Sequence, residues 1–438
     1  MTRLRKEFEV FLSCPHSMQV LMVSNMIYGL VLPVIEIFVA AYVMRNSHAV
    51  AKVVIYQLSI YTATPLAFYL NGKLLGRVRA KHLYAAGMIL SGLAMMLMMQ
   101  LSILTPIGVA TSGFTMGLAT GIFWANRGFL ALTATNDGNR NYYYGLENFI
   151  ATLDAVAVPA LIGWFISGTT LYGWLGGIPD RAYHIVAMAV FGLTIIAAGI
   201  LERGTFRNPE HTRFVFFRFH PLWWRMLELA LLKGLAQGYI VTAPAMLIML
   251  LVGQEGTLGA TQAIGGVFSA CLMYTVGRMT APRPRIVVFS AGLLLFFLGA
   301  VANTLLFKAV GVLIFIGCLL LAKPLLDLAY YPIQLQVIDV VSRLEGRKEY
   351  AYIFNHEFGL FAGRCLGCGL FLGIAYGWSG NAALKYALPV IALLQLLSIR
   401  VAGQISRGLD AAGTTSPAAS FAGHTMEAWE QCSRGDTP

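Results

Sequence analysis

Charge is scarce in this chain. Only 12% of its 438 residues are Asp, Glu, Lys or Arg, against 58% that are hydrophobic, where soluble domains carry about 25% charged residues. With a mean hydropathy of +0.69, that deficit excludes a soluble globule with one buried helix. Apolar–polar alternation with a period of two is missing too, which excludes a membrane β-barrel. The six Cys are scattered, so no disulfide framework is implied. Cys365 and Cys368 share one helix face and read as small packing residues rather than a soft-metal site. The eight His are not spaced as metal ligands, and HExxH, GxSxG and phosphate-loop motifs are lacking. No enzyme, cofactor or metal centre is expected, and nothing points to nucleic acid.

What the chain has in quantity is apolar runs of about 20 residues, enough to cross a hydrocarbon core as helix. Twelve are legible, near 17–44, 50–70, 83–103, 106–134, 144–168, 182–202, 224–252, 257–277, 285–305, 309–341, 350–376 and 383–403. The expected fold class is an all-α polytopic membrane protein with twelve transmembrane helices. Of the 31 Lys and Arg, five (Arg45, Lys52, Arg181, Lys308, Lys385) fall at one end of the spans and four inside them. The other 22 fall at the end that carries both termini, so the positive-inside rule makes that end cytoplasmic. A multi-pass monomer in the cell's inner (plasma) membrane is expected. MTRLRKE precedes an apolar run too long for a signal-peptide core, so the first span is expected to be retained.

The chain also repeats itself at an offset of about 206 residues. RNYYYGLENF (140–149) aligns with RKEYAYIFNHEF (347–358), Phe123-Trp124 with Tyr330-Tyr331, and GKLLGRVRAKH (72–82) with GRMTAPRPRIV (277–287). Parallel repeats of six helices are a transporter architecture. The expected organisation is a six-helix bundle over 1–202, an interfacial linker over 203–224, a second bundle over 225–403 and a disordered tail over 404–438. The linker's HTRFVFFRFHPLWWR suits the headgroup region, where Trp, Phe and Arg anchor. The tail is small, polar and without periodicity.

Across residues 10–403 this pattern resembles the major facilitator superfamily. The loop Gly72-Lys-Leu-Leu-Gly76-Arg77-Val-Arg79-Ala80-Lys81 is similar to that family's G-x-x-x-D-R-x-G-R-[RK] signature. Gly72, Arg77 and Lys81 match, while Gly76 stands in for the acid and Arg79 for a Gly. By resemblance this loop makes charge contacts at a cytoplasmic gate, to which Arg140 and Arg347, opening the two aligned segments, are also assigned. In span 5, Pro159 and Gly163 are what remains of the antiporter signature G-P-x-x-G-G. The resemblance further implies that spans 1, 4, 7 and 10 line a central cavity, aided by 2, 5, 8 and 11.

Polar residues on those spans form stripes at helical spacing. Span 10 carries Lys323, Asp327, Tyr330 or Tyr331, and Gln334; span 4 carries Thr120, Trp124 and Arg127. Span 1 carries Asn25, Tyr28 and Glu36, and span 7 carries Lys233 and Gln237. Spans 5 and 11 hold charges seven apart, Glu147 with Asp154 and Glu357 with Arg364, with His356 beside Glu357. Ionisable residues inside a bilayer are costly and mark solute or proton pathways. Asp327 (beside Lys323), Asp154 and Glu36 are the expected proton carriers, in that order. Apart from Thr120 and from Glu147, which is read as structural, the other stripe residues and His356 are expected to bind solute, the cations Arg127, Lys233, Lys323 and Arg364 taking its anionic group and the aromatics its apolar part. Each has a bland competitor: Lys323 and Asp327 can neutralise each other, aromatics more often pack helices, and Glu147 and Glu228 can serve helix dipoles. The expected function is proton-coupled transport of an amphiphilic anion or zwitterion, export ahead of import by symport. A non-transporting sensor or scaffold on the same fold is the rival from another class.

Overall fold

His220 caps the helix that starts at Pro221 by accepting a hydrogen bond from the Leu222 amide at 3.2 Å, and Thr105 caps the helix that starts at Pro106 likewise. Such caps satisfy amides that a helix start leaves bare. The computed structural model describes residues 9–101, 103–135, 137–208, 215–253, 255–279 and 285–411. Its long helices are α1 (His16–Ser47), α2 (Val50–Leu74), α3 (Ala80–Met99), α4 (Pro106–Ala134), α5 (Asp137–Leu171) and α6 (Pro179–Leu201). After the linker come α7 (Pro221–Leu251), α8 (Glu255–Met279), α9 (Arg285–Leu305), α10 (Ala309–Glu345), α11 (Tyr350–Gly377) and α12 (Gly380–Gln395, resuming as Leu397–Ala411). Among the described residues, eleven helices are long and apolar enough to cross a membrane. α8, with EGTLGATQAIGG, falls outside that set although it is 25 residues long. The chain is a multi-pass membrane protein.

Several boundaries differ from the sequence reading. α5 starts at Asp137 rather than 144, which puts Glu147 well inside the helix instead of at a dipole end. α7 starts at Pro221, inside the segment read as linker. α12 runs to Ala411, so the tail expected from 404 begins as helix. The reason is amphipathic: Val401, Ala402, Ile405 and Leu409 are buried in the same cluster as Leu222, Trp223 and Met226 of α7. Residues 412–438 lie outside the described ones.

Helix packing repeats itself six helices on. α1 packs on α5 and α6 as α7 packs on α11 and α12; α3 packs on α4 and α6 as α9 packs on α10 and α12; α2 packs on α4 as α8 packs on α10. The most extensive contacts joining the sets of six are α5 with α8 and α2 with α11, which exchange under the repeat; α2 also touches α7. α1 and α7 meet through their last turns, Val39–Ser47 against Ala243–Leu251. Both are interrupted beside a proline. Val34–Phe38 is π-helical after Pro33, and α7 breaks at Val241-Thr242 before Pro244. Such interruptions concentrate at functional positions in membrane helices.

Candidate functional site

The polar stripes converge on the seam between the two sets of six helices. On α7, Lys233 pairs with Asp327 of α10 at 3.2 Å and lies over the rings of Tyr330 (3.8 Å) and Tyr331 (4.1 Å). The Tyr330 hydroxyl and His356 Nε2 of α11 are 2.6 Å apart. One level further from the linker, Arg364 donates to Gln237 Oε1 at 2.9 Å and pairs with Glu357 at 3.4 Å. Its guanidinium sits 4.7 Å from the ring centre of Tyr61, whose hydroxyl donates across the seam to the Gln237 carbonyl at 2.7 Å. A cation held over aromatic faces while paired is one way to lower the cost of charge in an apolar setting.

A second cluster lies in the first six helices. Asn25 Nδ2 donates to Glu147 at 2.9 Å and to the Tyr143 hydroxyl at 3.0 Å, and Asn25 Oδ1 accepts from Tyr84 at 2.8 Å. Arg127 pairs with Glu147 at 3.0 Å and lies 5.0 Å from the Trp124 ring. Glu147 is therefore the buried hub of this cluster, which corrects its reading as a dipole residue. Trp124 and Tyr331 are half-exposed. Tyr28 departs from the expected solute-facing role: it is buried, donates to Ser91 at 2.9 Å and packs at a tilt against the Phe123 ring. Gln334 is half-buried on the same face of α10 as Asp327.

Three charged groups inside the spans stand apart. Lys323 does not neutralise Asp327, which pairs with Lys233 instead; Lys323 is exposed, without an ion pair among the described residues. Glu36 is exposed in the π-helical turn, within electrostatic reach of Tyr61, and is likewise unpaired among the described residues. Asp154 is only 7% exposed and its Oδ2 has no hydrogen-bond partner. That oxygen lies against α1 at Gly29, where an added Cβ would come within 2.5 Å of it. At roughly 1.5 Å per residue, Glu36, Lys323, Gln237 and Arg364 all lie roughly 15–20 Å from the end opposite the linker.

At that opposite end the seam is closed by residues the sequence reading left unassigned. Arg45 of α1, read there only as an outer-loop charge, forms a two-pronged pair with Glu255 of α8, the Nη2–Oε2 arm at 2.8 Å. Tyr183 of α6 also donates to Glu255, at 3.3 Å. Gly256 N donates to Ser167 Oγ at 2.6 Å. Beside this pair, Gly163 and Gly259 bring α5 and α8 into backbone contact, with Gly259 against the Pro159 carbonyl. Thus the two residues retained from the span-5 signature form part of the seam. The described hydrogen bonds and ion pairs between the two sets of helices lie at mid-depth or towards this end.

Of the residues assigned to a gate at the linker end, Lys81 and Arg347 bind their own set of helices and the adjoining linker. Lys81 binds Glu202 Oε2 at 3.3 Å and the carbonyls of Glu202 and Gly204, so the acid absent at position 76 is supplied from the end of α6. Arg347 pairs with Glu345 at 2.9 Å and donates to the Arg218 carbonyl of the linker at 2.6 Å. Arg77 is exposed and Gly72 buried. The side chain of Arg140 lies outside the described residues.

No family model matches the chain. It is 22% identical over 387 residues to the protein named "Uncharacterized protein YqgE" of Bacillus subtilis (strain 168), covering 84% of each chain. Among solved structures it is similar to the nucleoside transporter NupG, with a TM-score of 0.67 and 11% identity over 89% of this chain and 99% of that one. It is also similar to a POT family transporter in complex with 5-aminolevulinic acid, with a TM-score of 0.64 and 11% identity over 89% and 97% of the two chains. Twelve helices whose packing repeats after six, and these likenesses over nearly the whole length, mean that the chain has the major facilitator fold.

Proposed function

We propose that the chain is a proton-coupled secondary transporter working by alternating access. Its solute is a small amphiphilic zwitterion or anion, and net movement is export from the cytoplasm across the inner membrane. The observation that carries the reading is a contrast among the charges within the spans. Arg127, Lys233 and Arg364 are each matched by Glu147, Asp327 and Glu357. Among the described residues, Glu36, Asp154 and Lys323 are not. A scaffold gains nothing from unmatched charge in a bilayer, whereas a carrier needs groups whose partner arrives from outside.

On this reading Asp154 becomes the first proton carrier, ahead of Asp327. Asp327 is already held by Lys233, whereas a buried oxygen of Asp154 has no hydrogen-bond partner and can take up a proton without breaking a bond. The acidic Glu36 and the basic Lys323, at similar depth on opposite sides of the seam, suit the ammonium and anionic ends of a zwitterion. Trp124 and Tyr331 offer half-exposed rings for its apolar part. The fold neighbour that carries 5-aminolevulinic acid, itself a zwitterion, supports that class. Export rests on Pro159 and Gly163, the retained pieces of the antiporter signature, packing at the seam. The Arg45–Glu255 pair joins the two sets of helices at the end opposite the linker, and on this reading the solute path opens towards the linker end.

The test uses proteoliposomes loaded with a pH-sensitive dye. A panel of amphiphilic zwitterions, beginning with 5-aminolevulinic acid, is added and lumenal pH is followed. Solute-dependent proton movement is expected in the wild type and its loss in Asp154→Asn. Solute flux with no accompanying proton movement would remove the coupling, and an unchanged signal in Asp154→Asn would remove that residue from it.

A further inference from the structure

Away from the seam, the last turns of α12 and the first turn of α7 leave a groove of about 550 Å³ at the linker end. Its floor is apolar, formed by Pro221, Leu222 and Gly408, and its rim is basic, formed by His220, Arg225 and Arg407. Neither guanidinium is fully neutralised. Among the described residues, Arg407 Nε donates to the Gly403 carbonyl of its own helix, at 3.3 Å, and makes no ion pair. Arg225 shares the exposed Glu228 at 2.9 Å, a surface pair of little strength. The side chain of Trp224, one residue from Arg225, is exposed, as expected of an aromatic at headgroup depth.

We infer that this groove is a binding site for an anionic phospholipid, with the phosphate between Arg225 and Arg407 and an acyl chain along Leu222 and Gly408. The chemistry fits at both ends. Guanidinium groups take phosphate oxygens through paired, charge-assisted hydrogen bonds, and basic pockets between helices on the cytoplasmic side suit anionic headgroups. The apolar floor needs a chain that a free anion lacks. The terminal stretch Leu397–Ala411 has the matching form, burying Val401, Ile405 and Leu409 on one face and leaving Arg400 and Arg407 exposed. Such a helix lies comfortably at the boundary between headgroups and acyl chains. Occupancy would tie α12 to α7, both in the second set of six helices. The inference does not depend on what the seam transports.

The experiment takes the full chain, purified in a neutral detergent, and follows its thermal unfolding midpoint during titration with dioleoylphosphatidylglycerol, dioleoylphosphatidylcholine or inorganic phosphate. Phosphatidylglycerol is expected to stabilise the wild type at the lowest concentration. The double variant Arg225→Gln/Arg407→Gln should raise its half-saturating concentration about tenfold or more, at roughly a few-fold per basic residue. Arg343→Gln, which removes an exposed Arg from the same end, should leave it unchanged. Equal stabilisation by phosphatidylcholine would overturn the charge recognition. A double variant indistinguishable from wild type would overturn the location. Full stabilisation by inorganic phosphate would show an anion site with no role for a lipid chain, overturning the lipid assignment. Native mass spectrometry of each variant reports retained lipid directly, so a loss of stability in the variant is not mistaken for a loss of binding.

Discussion

Glu255→Gln is expected to open the end of the protein that the structure shows closed. Glu255 is 1% exposed, receives both arms of Arg45 and also the Tyr183 hydroxyl. Removing one partner of a buried ion pair costs about 3–5 kcal/mol. The Arg45 side chain keeps 27% of its exposure, so water recovers part of that, leaving about 2–3 kcal/mol against the closed state. At about 1.4 kcal/mol per decade, the open population should rise roughly 30- to 150-fold. The assay is the labelling rate of a single cysteine at position 323, in a cysteine-free background, by a membrane-impermeant maleimide confined to the side away from the linker. A rise of that order is expected, and the swap Arg45→Glu/Glu255→Arg should return the rate towards the starting value. A rate within threefold of the parent would refute the latch. A swapped variant that stays open would show that local packing, not charge, holds the seam.

Three further outcomes follow from the same geometry. Asp327→Asn removes the ion-pair partner of Lys233, whose side chain is 16% exposed, so a loss of about 2–4 kcal/mol in stability is expected; thermal unfolding should show recovery in Lys233→Met/Asp327→Leu, and a further drop would mean the pair is not the relevant contact. Lys323→Met breaks no ion pair among the described residues, so its melting midpoint should hold while the half-saturating concentration of a transported zwitterion rises about tenfold, the worth of one charge-assisted hydrogen bond. Gly259→Ala places a methyl group against the Pro159 carbonyl, and because backbone cannot step aside, the labelling rate at position 323 should rise as it does for Glu255→Gln; an unchanged rate would show that α5 and α8 part freely.

The membrane architecture was legible because its signals are local. Twenty apolar residues in a row make a span whatever they pack against. Stripe spacing likewise brought Lys323, Asp327 and Tyr330 to one face of α10, because 3.6 residues per turn is a property of one helix. Partner choice was not legible. Asp327 lies four residues from Lys323, yet it binds Lys233, 94 residues away; Glu147 takes Asn25 from 122 residues away; Glu255 takes Arg45 from 210. A charge shut away from water settles on whichever donor helix packing brings within about 3 Å. Sequence thus decided which groups share a helix face, and only the tertiary structure decided which of them are satisfied and which are left bare.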